Sequence, residues 1–314
     1  MNIAEDNIVS AVSKEGIARP RELAELLGRL AEAYLQEFST TAGILLFGGI
    51  TLGEFQPSFS DIDLAVVFDG DRTPELNPNR ADLPLPVRRA VAGLPLAREV
   101  PVSAKHVCAD TMRAMQRTCW HEWAAQTAGV VRRTDSYPFT LCDTYQIHRH
   151  GVVIGGSNVV GAFPFPDAPP TCPETERTRL QHFAERLSLP APFGPLAGSE
   201  LIAEVIYYAT DLTRSIYTLT TGEVTGRVSS TQWYRDRWRG QAGEIAFRLG
   251  RMRTSCTSSP SLPGEPAVIL KGLFAHYARE ALAYALPHTI CPVSFANEGS
   301  LSCLARDVLQ AMGT

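Results

Sequence analysis

Ile44-Leu45-Leu46-Phe47-Gly48-Gly49, eleven residues of turn-rich sequence, and then Asp61-Ile62-Asp63-Leu64-Ala65-Val66-Val67-Phe68 decide how this chain is read. The first run is a short apolar strand that ends in paired glycines. The second is a strand over 62–68, entered through two aspartates spaced i, i+2. In an extended chain that spacing puts both carboxylates on one face, about 7 Å apart. Two anions held side by side repel unless a cation lies between them. Beside a glycine turn whose bare backbone can approach phosphates, the natural cation is Mg²⁺ carrying a nucleoside triphosphate. An Asp-x-Asp pair alone is most often a solvated turn. Here it stands with a strand, Gly48-Gly49, a polar loop, Ser60 and a strongly β-prone run, and that conjunction points to phosphoryl or nucleotidyl transfer.

The rest of the chain narrows the class. A length of 314 residues predicts two domains with room for a substantial core. The hydrophobic share of 45% and charged share of 20% are those of an ordinary globular protein. No apolar run approaches the ~18 residues of a membrane span, and the acidic start Met1-Asn2-Ile3-Ala4-Glu5-Asp6 lacks the basic and apolar regions of a signal peptide. Seven cysteines form no Cys-x-x-Cys pair, and their odd number argues against a disulfide framework, so a reducing cytoplasm is the expected compartment. A net charge of −4 gives no support for bulk nucleic-acid binding and leaves room for a cationic small substrate; no membrane partner is expected. A Gly-Lys-Ser/Thr phosphate loop is absent, which removes the P-loop kinases.

Periodicity sets the organisation. An amphipathic helix over 20–38 carries the stripe Leu23, Leu26, Leu27, Leu30, Ala31 and Tyr34, with Pro20 in its first turn. After the two strands come a proline-containing loop at 70–86, a short helix at 86–93, a third strand over 97–107, helices at 109–128 and 139–150, and a small apolar run at 151–155. Eight prolines between Pro164 and Pro195 place a boundary near residue 160. The expected domains are therefore 1–160 and 161–314. Helical patterns over 174–188, 200–220, 229–238, 242–252 and 267–285 make the second all-helical. The predicted fold class is α+β: a mixed sheet with flanking helices, then a helical bundle.

Two carboxylates hold a metal, but transfer to a hydroxyl also needs a base or a second metal to activate it. Glu99, read as opening the third strand, is the best-placed third carboxylate; a surface glutamate on an edge strand is the competing reading. Asp110 and Glu122 fall on predicted helices. His148-Arg149-His150 lies at a helix end, where i, i+2 histidines point to different faces and read as capping or packing.

The pattern of paired glycines followed by Asp61-Ile62-Asp63-Leu64 resembles the nucleotidyltransferase superfamily related to DNA polymerase β. Arg98-Glu99-Val100-Pro101-Val102 and the segment Leu212-Thr213-Arg214…Thr221-Gly222-Glu223-Val224 with Trp233 are similar to the bacterial aminoglycoside nucleotidyltransferases of the streptomycin/spectinomycin adenylyltransferase type. The resemblance implies metal ligation by Asp61 and Asp63, with Glu99 as catalytic base and metal ligand. It also implies phosphate contacts from Gly48, Gly49 and Ser60, and Arg227 in the place of a phosphate-binding lysine. Glu200 and Glu204, one helical turn apart, and Trp123 match positions that contact the cationic drug; a solvated helix face and a core tryptophan are the competing readings. The implied reaction moves AMP from ATP to a hydroxyl with two Mg²⁺ ions, releasing pyrophosphate. The helical domain would close over the site, and antibiotic resistance would be the role. A tailoring enzyme acting on another natural product or a protein hydroxyl, and a nucleotide-binding regulator without turnover, are the alternatives. Gly49 departs from the serine usual in the aminoglycoside enzymes.

Overall fold

The computed structural model describes residues 3–71, 73, 83–117, 137–187, 198–254, 266–288 and 301–312. It divides into two compact units, Met1–Pro170 and Thr171–Thr314. The division falls ten residues beyond the expected boundary because Phe163 and Phe165 pack into the aromatic cluster of the first unit. Phe163 meets Phe139 at 5.2 Å between ring centroids, and Phe165 meets Tyr137 at 6.4 Å.

The first unit is built on a four-stranded mixed sheet. Its strands are β1 (Thr41–Phe47), β2 (Ile62–Phe68), β3 (Val102–Cys108) and β4 (Val152–Gly156), in the order β3-β2-β1-β4. β1 pairs antiparallel with β2 and β4, whereas β2 and β3 run parallel. Helices α1 (Ile3–Val12) and α2 (Pro20–Glu37) cover one face. The α2 stripe predicted from the sequence is wholly buried there: Leu23, Leu26, Leu27 and Leu30 lie against Ile44 and Leu46 of β1 and Ile62, Leu64, Val66 and Phe68 of β2. The even-numbered residues of β2 thus belong to the core. Period-two alternation sends its odd-numbered residues, Asp63 among them, to the other face. Helix α6 (Leu141–His150) packs against β1, opened by a reciprocal cap between Thr140 and Asp143.

One expected strand is corrected. Residues 95–99 form the short helix α4 (Pro95–Glu99), which follows α3 (Leu85–Val91), and β3 begins only at Val102. Pro95 supplies a pre-set first turn, and the Val100 N–H still bonds back to Leu96 O at 3.0 Å. Pro101 has no N–H to give a ladder, so strand pairing starts after it. Helix α5 (Ala109–Met115) follows β3 and gives way to a turn at Gln116 and Arg117; residues 118–128 of the expected helix lie outside the described residues.

The second unit is helical throughout its described residues: α7 (Pro173–Leu187), α8 (Gly198–Thr221), α9 (Arg227–Arg237), α10 (Gln241–Thr254), α11 (Pro266–His288) and α12 (Leu301–Ala311). Its core joins Leu180 and Phe183 of α7, Val205, Ala209 and Leu212 of α8, and Leu273, Phe274 and Tyr277 of α11. No described helix is long and apolar enough to cross a membrane.

Candidate active site

The site begins where β1 ends. Gly48 turns the chain with φ +78°, a left-handed conformation that favours glycine. Space forbids anything larger as well: a Cβ at Gly48 would lie 2.3 Å from Oδ2 of Asp63, which stands beside Phe47 in the β1–β2 register. The sequence therefore uses a missing side chain to let a carboxylate sit against the backbone. Residues 48–54 then wind into a helical turn, with Leu52 N–H donating to Gly48 O and Glu54 N–H to Gly49 O. The Thr51 hydroxyl donates to Gly48 O at 2.9 Å and braces the turn from its buried side. The N–H groups of Gly49, Ile50 and Thr51 take no part in the turn's own backbone hydrogen bonds. They are the donors a phosphate-binding concavity needs.

The loop after the turn is pinned at both ends. Phe55 forms a bridge with Ile17, and its carbonyl accepts from Ala18 N–H at 3.0 Å. Ser60 Oγ accepts from Gln56 N–H at 3.0 Å while the Ser60 N–H donates to Gln56 O at 2.8 Å, closing a tight loop just before Asp61. Ser60 therefore serves first as a brace for the aspartates. Asp61 is exposed and Asp63 half-buried at the entrance of β2. Their donor set, hard carboxylate oxygens beside a turn in which Asp63 fills the place a Cβ would take, fits Mg²⁺.

Glu99 is not gathered into this pair. It ends α4 with its side chain 49% exposed, and no cluster of three or more His, Cys, Asp or Glu side chains suited to a metal forms among the described residues. Its Oε2 instead accepts from Arg19 Nη1 at 2.5 Å. The chain returns to the site directly afterwards: Val100 is extended and Pro101 O accepts from Ile62 N–H at 2.9 Å. In the β2–β3 register Asp63 lies beside Ser103 and Ala65 beside Lys105. Lys105 thus shares the face of the aspartates, one pleat further in. It is 9% exposed, bonded to Asp143 Oδ2 at 2.5 Å and lodged over the rings of Phe47 and Phe139. Burial opposes the charge on Asp143, but Lys105 and the Thr140 N–H outweigh it and hold that carboxyl below the usual carboxylate range.

The other expected residues lie in the second unit, apart from Trp123, which falls outside the described residues. Glu200 is exposed in the first turn of α8, and Glu204 is half-buried one turn on. The Thr221-Gly222 pair ends that helix: Gly222 takes φ +73° and its N–H caps Thr218 O at 2.9 Å, while Thr221 Oγ1 accepts from Glu223 N–H. Arg227 is the first residue of α9, its Nη2 3.8 Å from Asp211 Oδ1 and its guanidinium 5.1 Å from the centre of the Tyr207 ring. Arg214 meets the same Asp211 oxygen at 2.7 Å. Burial again works against the charge on Asp211, and Arg214, Arg179 and Arg227 overcome it, keeping the carboxyl low and ionised. Arg214 and Asp211 have no role in the sequence reading. Their signal is a charged pair at i, i+3 on a helix whose other buried residues are uncharged.

Residues 27–91, which span α2, β1, the glycine turn, β2 and α3, match the family model described as a nucleotidyltransferase domain. The match stops short of Glu99 and of the whole second unit. Among solved structures, the spectinomycin adenyltransferase AAD(9) from Enterococcus faecialis with ATP and spectinomycin shares the fold at a TM-score of 0.50 and 13% identity, with 81% of this chain and 98% of that one covered. No curated protein sequence matches the chain. The shared fold accounts for the mixed sheet followed by a helical unit, and the family match covers the segment that holds Asp61 and Asp63.

Proposed function

We propose that this nucleotidyltransferase moves AMP from ATP to a hydroxyl of a small, cationic, aminoglycoside-like acceptor and releases pyrophosphate. The observation that carries the reading is the Asp61–Asp63 pair at the entrance of β2, with Asp63 seated against the turn at Gly48. Asp61 and Asp63 would hold Mg²⁺, which when bound supplies Lewis-acid stabilisation of phosphate oxygens. The N–H groups of Gly49, Ile50 and Thr51 bind phosphate oxygens at the turn, as anions bind at other backbone nests. The acceptor oxygen attacks the α-phosphorus, the bond to the β-phosphate bridging oxygen breaks, and the hydroxyl proton passes to Glu99. The resemblance to the aminoglycoside enzymes supports reading Arg227 as a phosphate contact and Glu200 and Glu204 as contacts for the acceptor's amines. The presence of ATP and spectinomycin in the AAD(9) structure supports both partners.

Pyrophosphate release from ATP and Mg²⁺ is the decisive assay, run over a panel of aminoglycosides and uncharged polyols. Turnover confined to cationic acceptors is the expected outcome, with Asp61→Asn and Asp63→Asn inactive. Turnover on uncharged polyols alone would move the acceptor to another natural-product class. A second reading is favoured by the separation of Glu99 from the aspartates: a nucleotide-binding regulator. Tight Mg²⁺–ATP binding with no pyrophosphate released on any acceptor would establish it.

A further inference from the structure

Arg19 occupies a place where arginine is out of character. It is the residue before α2, where Ser, Thr, Asp or Asn usually cap the helix through a side-chain oxygen. Arg19 makes no such cap and sits at φ 52°, ψ 52°, in the left-handed region that side chains with a Cβ rarely adopt. The backbone around it is held by strong constraints. Ile17 bridges to Phe55, Ala18 N–H donates to Phe55 O, and Leu23 N–H donates to Arg19 O at 3.0 Å. A strained, over-determined residue whose side chain reaches the proposed base is a reason to ask what that side chain does.

The guanidinium is divided between two carboxylates. Nε donates to Glu22 Oε1 at 2.7 Å and Nη2 to Glu22 Oε2, a bidentate fork that fixes the plane of the group. Nη1 is left to reach Glu99 Oε2, 80 positions along the chain. Glu99 Oε1 accepts no hydrogen bond among the described residues. The geometry points to Arg19 as a positioning residue: it holds Glu99 outside the metal pair, with one oxygen tied and the other turned over to the acceptor's proton. The inference rests on the reading of Glu99 as the base and goes beyond it in one respect. Glu99 is then a base only, and the metal ligands are Asp61 and Asp63.

Arg19→Gln, Arg19→Lys, Glu99→Gln and the double variant Arg19→Gln/Glu99→Gln test this in the full chain. Two readouts are used: pyrophosphate release, and Mn²⁺ affinity by electron paramagnetic resonance in the presence of ATP. Glu99→Gln should lower kcat by about 10²-fold or more and Arg19→Gln by about tenfold, with KM for ATP and Mn²⁺ affinity within about twofold of wild type. Arg19→Lys should recover part of kcat, and the double variant should be no slower than Glu99→Gln. Arg19→Gln at wild-type kcat, or a further drop in the double variant, overturns the role of Arg19 while leaving the reaction intact. Mn²⁺ binding weakened by Glu99→Gln would make Glu99 a ligand and sink the assignment. Full activity of Glu99→Gln removes Glu99 as base and the inference with it; an inactive wild type counts against the reaction itself.

Discussion

Gly48→Ala is the substitution whose consequences follow most directly from the coordinates. Two costs are separable. The first is backbone: alanine at φ +78° pays about 1–2 kcal/mol for the left-handed conformation. The second is contact. The new Cβ would meet Asp63 Oδ2 at 2.3 Å, whereas ordinary van der Waals contact starts at 3.4 Å, so the carboxylate has to retreat by about 1 Å. Displacement on that scale can cost about 10²-fold in rate. Gly70→Ala isolates the first cost, because Gly70 has φ +86° and nothing within 4 Å of where its Cβ would go. Urea unfolding should show both variants destabilised by a similar backbone amount. Mn²⁺ affinity and pyrophosphate release should fall in Gly48→Ala and stay near wild type in Gly70→Ala. Equal metal affinity in the two variants would refute the claim that Asp63 is seated against Gly48 for metal binding.

Three further outcomes concern stability. His106, a half-buried residue of β3, has its Nε2 2.8 Å from the Tyr34 hydroxyl of α2, and its partial burial lowers its pKa to about 4. Because the folded value lies below the ordinary one, His106 contributes full stability above about pH 6.5 and loses it as the pH falls toward 4; urea unfolding should show a loss of about 2 kcal/mol between pH 7.5 and 5, a slope that His106→Gln should flatten. Lys105→Met leaves the Asp143 carboxylate without its cation and should cost about 3–5 kcal/mol in urea unfolding, with Lys105→Met/Asp143→Asn recovering part of the loss. Gly250→Ala drives a Cβ to 2.2 Å from Thr231 Oγ1 at the α9–α10 contact and should cost about 1–3 kcal/mol, less in a Thr231→Ala background.

How much of this was legible in the sequence differs between elements for physical reasons. Helix α2 carries an undiluted apolar stripe and strands β1 and β2 nearly continuous apolar runs, so their burial follows directly from the pattern. The face of Asp63 was readable because period two decides it. The segment 95–101 misleads: Arg98-Glu99-Val100-Pro101-Val102 alternates like a strand, but Pro95 starts a helical turn and Pro101 cannot join a ladder. Helix α1 spreads its apolar contacts over Ile8, Ala11 and Val12 between polar residues, a signal too short to stand alone. The Arg19–Glu99 pair spans 80 positions and depends on how the chain closes, so no local pattern announces it; the only hint is an arginine where a cap is expected.

The seven residues of β2 supply both the core and the site, Ile62, Leu64, Val66 and Phe68 inward and Asp63 outward. A slip of one residue in the pairing with β1 would exchange the two sets, driving a carboxylate into the layer beneath α2 and four large apolar side chains onto the face of Asp63, Ala65 and Val67. On the metal-binding role proposed for Asp61 and Asp63, metal affinity would report directly on strand registration. A sample that binds Mn²⁺ through Asp61 and Asp63 has paired its central strands correctly, and misaligned chains would be silent in that assay however compact they were.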